Sequence, residues 1–187
     1  MPTYSVCLLV LTELNQDGSA KTTDPKTLKV TTPQQVSFDP QIVEGQKQEL
    51  RGGGKRIATV VEPDELTGIN ATLQNAVLKI EEMAMIGGGT ITGTAPSQGY
   101  SAPKLGDPTP TPFKAEVYSP IYEEGEHHES DIKGYMKVTL WNCKGRVPSW
   151  VQQDRNFVIP SYTIKGLENT AQSKPSFEID FVDALPA

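Results

Sequence analysis

A chain of 187 residues with 36% hydrophobic and 21% charged residues is long enough for one well-buried core and too apolar for a disordered polymer. Its 16 glycines and 15 prolines call for many turns and few long helices, and a net charge of −6 disfavours a conventional nucleic-acid binder. Two cysteines, Cys7 and Cys143, lack the C-x-x-C spacing of a redox or zinc site and are read as free thiols of a reducing cytoplasm.

The first apolar run, residues 6–11, is too short for a signal-peptide core or a membrane span and has no basic residue before it, so neither export nor membrane insertion is expected. A polar excursion follows over residues 13–27, with a turn signal at Asn15-Gln16-Asp17-Gly18. Apolar and polar residues then alternate at the strand period. Leu28 and Val30 alternate with Lys29 and Thr31, Val36 and Phe38 with Ser37 and Asp39, and Ile69, Ala71 and Leu73 with Asn70 and Thr72. Residues 57–61 are more uniformly apolar and β-branched than the strands before them, as in a strand covered by protein on both faces, either central or at a subunit contact.

One segment has the helical period: Leu73, Val77, Ile80 and Ala84 share a stripe, Asn75 suits an N-cap and Gly87 a left-handed exit. These predict one helix over residues 76–86 with its stripe against the sheet. Residues 93–112 hold Pro96, Pro103, Pro108, Pro110 and Pro112 among Gly, Ser and Thr, a long loop of the kind that has a function when ordered. Strands return at Phe113, Ala115 and Val117, at Met136, Val138 and Leu140, and at Tyr162 and Ile164. Phe177, Ile179 and Phe181 follow across a turn at residues 169–175, which reads as a terminal hairpin. The fold class expected is mainly β: a single domain over residues 1–187, an antiparallel β-sandwich or small β-barrel flanked by one α-helix.

Catalytic and ligand motifs fail on spacing. Arg51-Gly52-Gly53-Gly54-Lys55-Arg56 has Glu49 and Arg56 where a nucleotide loop needs Gly and Ser or Thr, so it reads as a basic hairpin turn. Gly87-Gly88-Gly89 follows a helix instead of opening one. His127 and His128, among Glu123, Glu124, Glu126, Glu129 and Asp131, are adjacent and point to opposite faces of an extended chain, so the cluster reads as a solvated acidic loop. Asn70-Ala71-Thr72 matches a glycosylation sequon within an expected strand and is read as a chance match. With no Gly-x-Ser-x-Gly elbow, no enzyme activity, cofactor or metal is expected.

The order of features from Glu44 onward resembles the major tail tube protein of long-tailed bacteriophages. It runs from residues 46–50 through the glycine turn and the strand at 57–61 to Asp64-Glu65-Leu66-Thr67-Gly68, and on to the strand, helix and Pro-rich stretch with Tyr100-Ser101-Ala102-Pro103. Tyr118, Tyr135-Met136-Lys137-Val138-Thr139-Leu140, Asn142-Cys143-Lys144-Gly145 and Glu168-Asn169 continue it, over about three quarters of the chain. The resemblance implies a fold shared with contractile-tail and type VI secretion tubes. It implies a homo-oligomer of hexameric rings stacked into a hollow tube, assembled in the host cytoplasm and carried in the virion. Partners would be tape measure, distal tail and terminator proteins, with double-stranded DNA passing through the lumen unbound. An acidic lumen surface would suit that passage.

Within this expectation, Tyr100, Pro103 and Leu105 of the long loop, with Ile57 and Val60, are the candidate subunit-interface residues. Deleting residues 97–108 should then leave folded subunits that do not polymerise. A competing reading is a monomeric β-sandwich that binds a ligand or carbohydrate, with Trp141, Trp150, Tyr122 and Tyr135 as a stacking platform.

Overall fold

A computed structural model describes residues 2–94, 96–123, 125 and 131–186. Along them lie β1 (Leu8–Glu13), β2 (Thr27–Val30), β3 (Pro33–Val43), β4 (Lys47–Gly52), β5 (Lys55–Val61) and β6 (Glu65–Asn75), then the helix α1 (Ile80–Gly87). β7 (Thr90–Thr92), β8 (Gly99–Ser101), β9 (Phe113–Ile121), β10 (Gly134–Gly145), β11 (Ser161–Leu167) and β12 (Phe177–Val182) complete the order, with a 3-10 turn at Thr170–Gln172.

The strands pair in the order β2-β1-β9-β10-β11-β6-β3, all antiparallel, with β12 also on β10. The twelve-residue β10 makes this ladder into two layers. Its first part, to Leu140, lies between β9 and β12, and beyond a register shift its residues from Asn142 pair with β11. Leu9, Leu11, Val117 and Val138 of the first layer then meet Ile69, Ala71, Leu73, Tyr162 and Ile164 of the second in one buried core. Since β2 and β3 end the ladder without pairing, the molecule is an open sandwich and not the closed barrel held as an alternative.

Alternation accounts for most strands: Phe113, Ala115 and Val117 are buried in β9 while Lys114 and Glu116 are only half-buried. The run Leu8, Leu9, Val10, Leu11 is buried on both faces of β1, with Leu8 and Val10 against Tyr118 on the outer side. The apolar run that is too short for a membrane span is thus a core strand.

Four expectations are corrected. The helix starts at Ile80 because β6 runs on through Asn75, whose amide donates to Glu82 Oε2 at 2.8 Å instead of capping. Met83 and Ile86 enter the core, whereas Val77 is exposed and Leu73 belongs to β6, so the expected stripe is not the buried one. The left-handed residue at the exit is Gly88, φ 76°, whose N–H donates to Ala84 O. At the chain end β11 and β12 do not form a hairpin with each other; both pair with β10. Buried Asn169, accepting from Gln172 N, turns the chain back onto β10 between them.

Both long excursions are partly structured. In residues 13–27, Leu14 is buried, and Asn169 Nδ2 and Gln172 Nε2 donate to Gly18 O at 2.8 and 2.9 Å. In residues 93–112, β8 pairs back on β7, leaving 102–112 without regular structure.

Candidate assembly surface

The 11-residue strands β3 and β6 pair over their length, and their ladder ends where the chain enters β4 and leaves β5. At this joint Gly45 N donates to Asp64 Oδ1 at 3.0 Å and Glu62 N to Gln46 O at 3.0 Å. A side chain at Gly45 would collide with the Glu62 carbonyl, so the close crossing requires glycine. Beyond the joint, β4 and β5 pair, among the described residues, only with each other and form a separate hairpin arm. Its turn has positive φ at both Gly53 and Gly54, the geometry of a two-residue hairpin loop. The basic glycine motif is thus the tip of this arm.

Cross-strand register gives the arm two unlike faces. Gln48 pairs with Val60 and Leu50 with Ala58, while the bulge beside Leu50 sets Ile57 against Gly52 on the same side. This face is apolar. On the other, Glu49 meets Lys47 at 3.2 Å, Arg51 at 2.9 Å and Arg56 at 3.4 Å. The Arg51 hydrogen bonds, with those of Lys47 and Arg56, hold the Glu49 carboxyl below its usual range. Residues 46–61 carry four cations against one carboxylate, a net +3 in a chain of net −6.

Every residue of β5 is exposed, including Ile57 at 65% and Val60 at 64%, and Leu50 of β4 is 61% exposed. Ile42 and Leu66, opposite each other in the β3–β6 register, and Val43 on the other face of that ladder are also exposed. The strand at 57–61 is therefore not central. Contiguous apolar side chains of this kind mark an interaction surface, and a hairpin with two open edges is a hazard for a monomer. Ile57 and Val60 are the exposed pair expected from the sequence, whereas Leu50, Ile42, Val43 and Leu66 were not singled out; Leu50, alternating with Glu49 and Arg51 beside the glycine turn, carried a readable signal.

The loop residues divide. Tyr100 sits on β8, packs against the core and donates its hydroxyl to Gly88 O at 2.8 Å, and burial raises its pKa. Its hydroxyl is thus held within the chain while the side chain stays half-buried. Pro103 is exposed and borders a cleft of about 520 Å³ beside the end of α1, with Asp107, Pro108 and Pro110. Leu105 projects wholly into solvent.

The aromatic residues of the ligand-binding alternative divide: Tyr122 follows β9 next to the β10 strand that carries Tyr135, whereas Trp141 lies at the far end of β10. Trp141 donates Nε1 to Glu178 Oε2 at 3.0 Å, with the Lys174 and Lys114 ammonium groups 4.6 and 5.6 Å from its ring centroid, so its ring is occupied. Tyr135 packs against the Leu8, Val10 and Tyr118 cluster, and Trp150 lies on the irregular segment after β10. Of the acidic cluster, Glu124 and residues 126–130, both histidines included, lie outside the described residues; among the described residues no group of three metal-ligating side chains occurs. Asn70-Ala71-Thr72 lies within β6, with Ala71 in the core. Among the described residues no helix is long and apolar enough to cross a membrane.

A buried polar group lies under α1. Glu82, 2% exposed, accepts from Asn75, whose Oδ1 accepts from Thr32 Oγ1 at 2.6 Å. Glu82 Oε1 faces Lys79 Nζ at 3.8 Å, neither it nor the Tyr162 hydroxyl has a hydrogen-bond partner among the described residues, and Glu82 and Tyr162 line a cavity of about 10 Å³. Burial raises the Glu82 pKa, and burial with the nearby Glu82 carboxylate raises that of Tyr162.

No protein-family profile and no curated protein matches the sequence. Among solved structures the chain is similar to a chain in "Cryo-EM structure of the anti-feeding prophage (AFP) baseplate, 6-fold symmetrised", at 11% identity, covering 98% of this chain and 99% of that one. The TM-score of 0.40 marks a coarse likeness, which fixes neither a common fold nor a shared role.

Proposed function

We propose that this chain is a structural subunit that polymerises through its sheet edges and its β4–β5 arm, as the tail tube subunit of a long-tailed phage or of a related injection machine. The observation that carries the reading is the arm: a two-stranded hairpin with every residue of β5 exposed and Leu50, Ile57 and Val60 on one face. An isolated hairpin of this size has little stability in water, and a neighbouring subunit would cover both its apolar face and its open edges. The open edges of β2, β3 and β12 supply further joints for sheet continuation.

In this reading the rings are hexameric and stack into a hollow tube, as the sequence resemblance implies. Tape measure, distal tail and terminator proteins would meet its ends, and double-stranded DNA would pass through without specific binding. The tube would assemble in the host cytoplasm and remain in the virion.

Replacing residues 46–61 with a two-residue Asn-Gly turn tests the reading, because β3 and β6 still pair over their full length. The expected product is a folded monomer by sedimentation velocity at concentrations where the intact chain forms large particles. Intact chain that stays monomeric, or armless chain that polymerises equally well, would overturn the proposal.

A further inference from the structure

The inner face of the first layer contains a row that one strand leaves open. Register aligns Val30 with Leu9, Leu9 with Val117, Val117 with Val138, and Val138 with Ile179. The first four are at most 5% exposed; Ile179, at the β12 end of the row, is 51% exposed. Phe181, opposite Met136 and on the same face, is 67% exposed. The outward edge of β12 pairs with no strand among the described residues. The core thus continues to a free sheet edge with two large apolar side chains uncovered.

The other face of β12 is acidic. Glu178 and Asp180 point away from the Ile179 side, Asp183 follows, and these three are the only charged residues between Pro175 and Pro186. Lys174 and Lys137 meet Glu178 and Asp180 at 3.5 and 2.9 Å. A strand added to this edge needs apolar side chains on the Ile179 side, cations on the Asp180 side, and its own free edge. The arm has all three: Leu50, Ile57 and Val60 on one face, Lys47, Arg51 and Arg56 on the other to join the Lys137–Asp180 and Lys174–Glu178 pairs, and free outer edges on β4 and β5 among the described residues.

We infer that the arm of one copy docks along the free edge of β12 of a second copy, extending its sheet by β-augmentation and covering Ile179 and Phe181. The inference rests on the assembly reading and names the partner face of the arm. In its own chain the arm leaves its apolar face open, so the strand that covers β12 comes from another molecule.

Site-directed cross-linking separates the two ideas. In a Cys7→Ser background, where the remaining Cys143 is fully buried and its thiol held protonated by desolvation, Ala58→Cys and Asp183→Cys are placed on separate chains and mixed. A short bismaleimide should join them into a heterodimer only under conditions that give polymer, while a Leu105→Cys and Asp183→Cys mixture gives none. Phe181→Arg should raise the concentration needed for polymer at least tenfold without lowering the melting temperature, because that side chain is mostly in water already. Polymer without the 58–183 cross-link, or Phe181→Arg that polymerises like the parent, overturns the docking face and leaves the assembly reading standing. Parent chain that never polymerises, by light scattering, removes both.

Discussion

Replacing Leu50, Ile57 and Val60 together by threonine keeps three residues that suit a strand while removing the apolar face of the arm. These side chains are 61%, 65% and 64% exposed, so the fold leaves roughly two thirds of each in water. Complete burial of such a side chain contributes about 1.5–3 kcal/mol, so covering the exposed part in an interface gives about 1–2 kcal/mol each and about 3–6 kcal/mol for three. At about 1.4 kcal/mol per factor of ten, each contact should weaken by about two to four decades. Substitutions at exposed positions usually change folding stability by less than about 0.5 kcal/mol each, so the monomer should melt near the parent temperature. The assay is the critical concentration for polymer by light scattering, with circular dichroism melts on the same samples. A folded triple variant that polymerises at the parent concentration would refute the claim that this face drives assembly.

Four further outcomes follow from the interior and the loop. Burial lifts the Glu82 carboxyl above its ordinary 4.5, so the native chain holds that proton more tightly than the unfolded chain. Its contribution to stability is then best below about pH 4.5 and falls as pH rises towards the folded value. Glu82→Gln should therefore gain on the parent in urea midpoints as pH rises above about 4.5, and a constant difference would contradict this. Tyr100→Phe removes the hydroxyl bond to Gly88 O and should cost about 1 kcal/mol in urea unfolding without raising the critical concentration, because that hydroxyl is held within the chain. Ile164→Ala, at a wholly buried position of β11, should cost about 2–5 kcal/mol; a loss under about 1 kcal/mol would mean that the two layers are not packed as described. Excising residues 103–108 takes out Leu105 but spares β8 and Tyr100, unlike a deletion of 97–108, and should give folded subunits impaired in polymerisation; unimpaired polymer would remove the loop from assembly.

Strand positions were legible wherever one face is buried and the other solvated, because alternation then writes the burial pattern directly into the sequence, as in β9 and β11. Pairing was less legible. Nothing local in residues 161–182 shows that β11 and β12 share β10 instead of pairing with each other; that follows from the length of β10 and its register shift after Leu140. The helix start was misplaced because a stripe at period 3.6 also fits residues at a strand end, and Asn75 serves the buried Glu82 instead of a helix cap. At the arm, the more uniformly apolar run at 57–61 signalled two covered faces, which the isolated chain does not supply. The surroundings of Trp141 were equally illegible, since the lysines over its ring come from distant parts of the sequence.

The most direct test of self-assembly is negative-stain electron microscopy of the purified chain across a concentration series, with light scattering mass on the same samples. The account predicts rings or hollow tubes of uniform diameter that appear above a critical concentration. Monodisperse monomers at every concentration, with the arm still exposed, would contradict it.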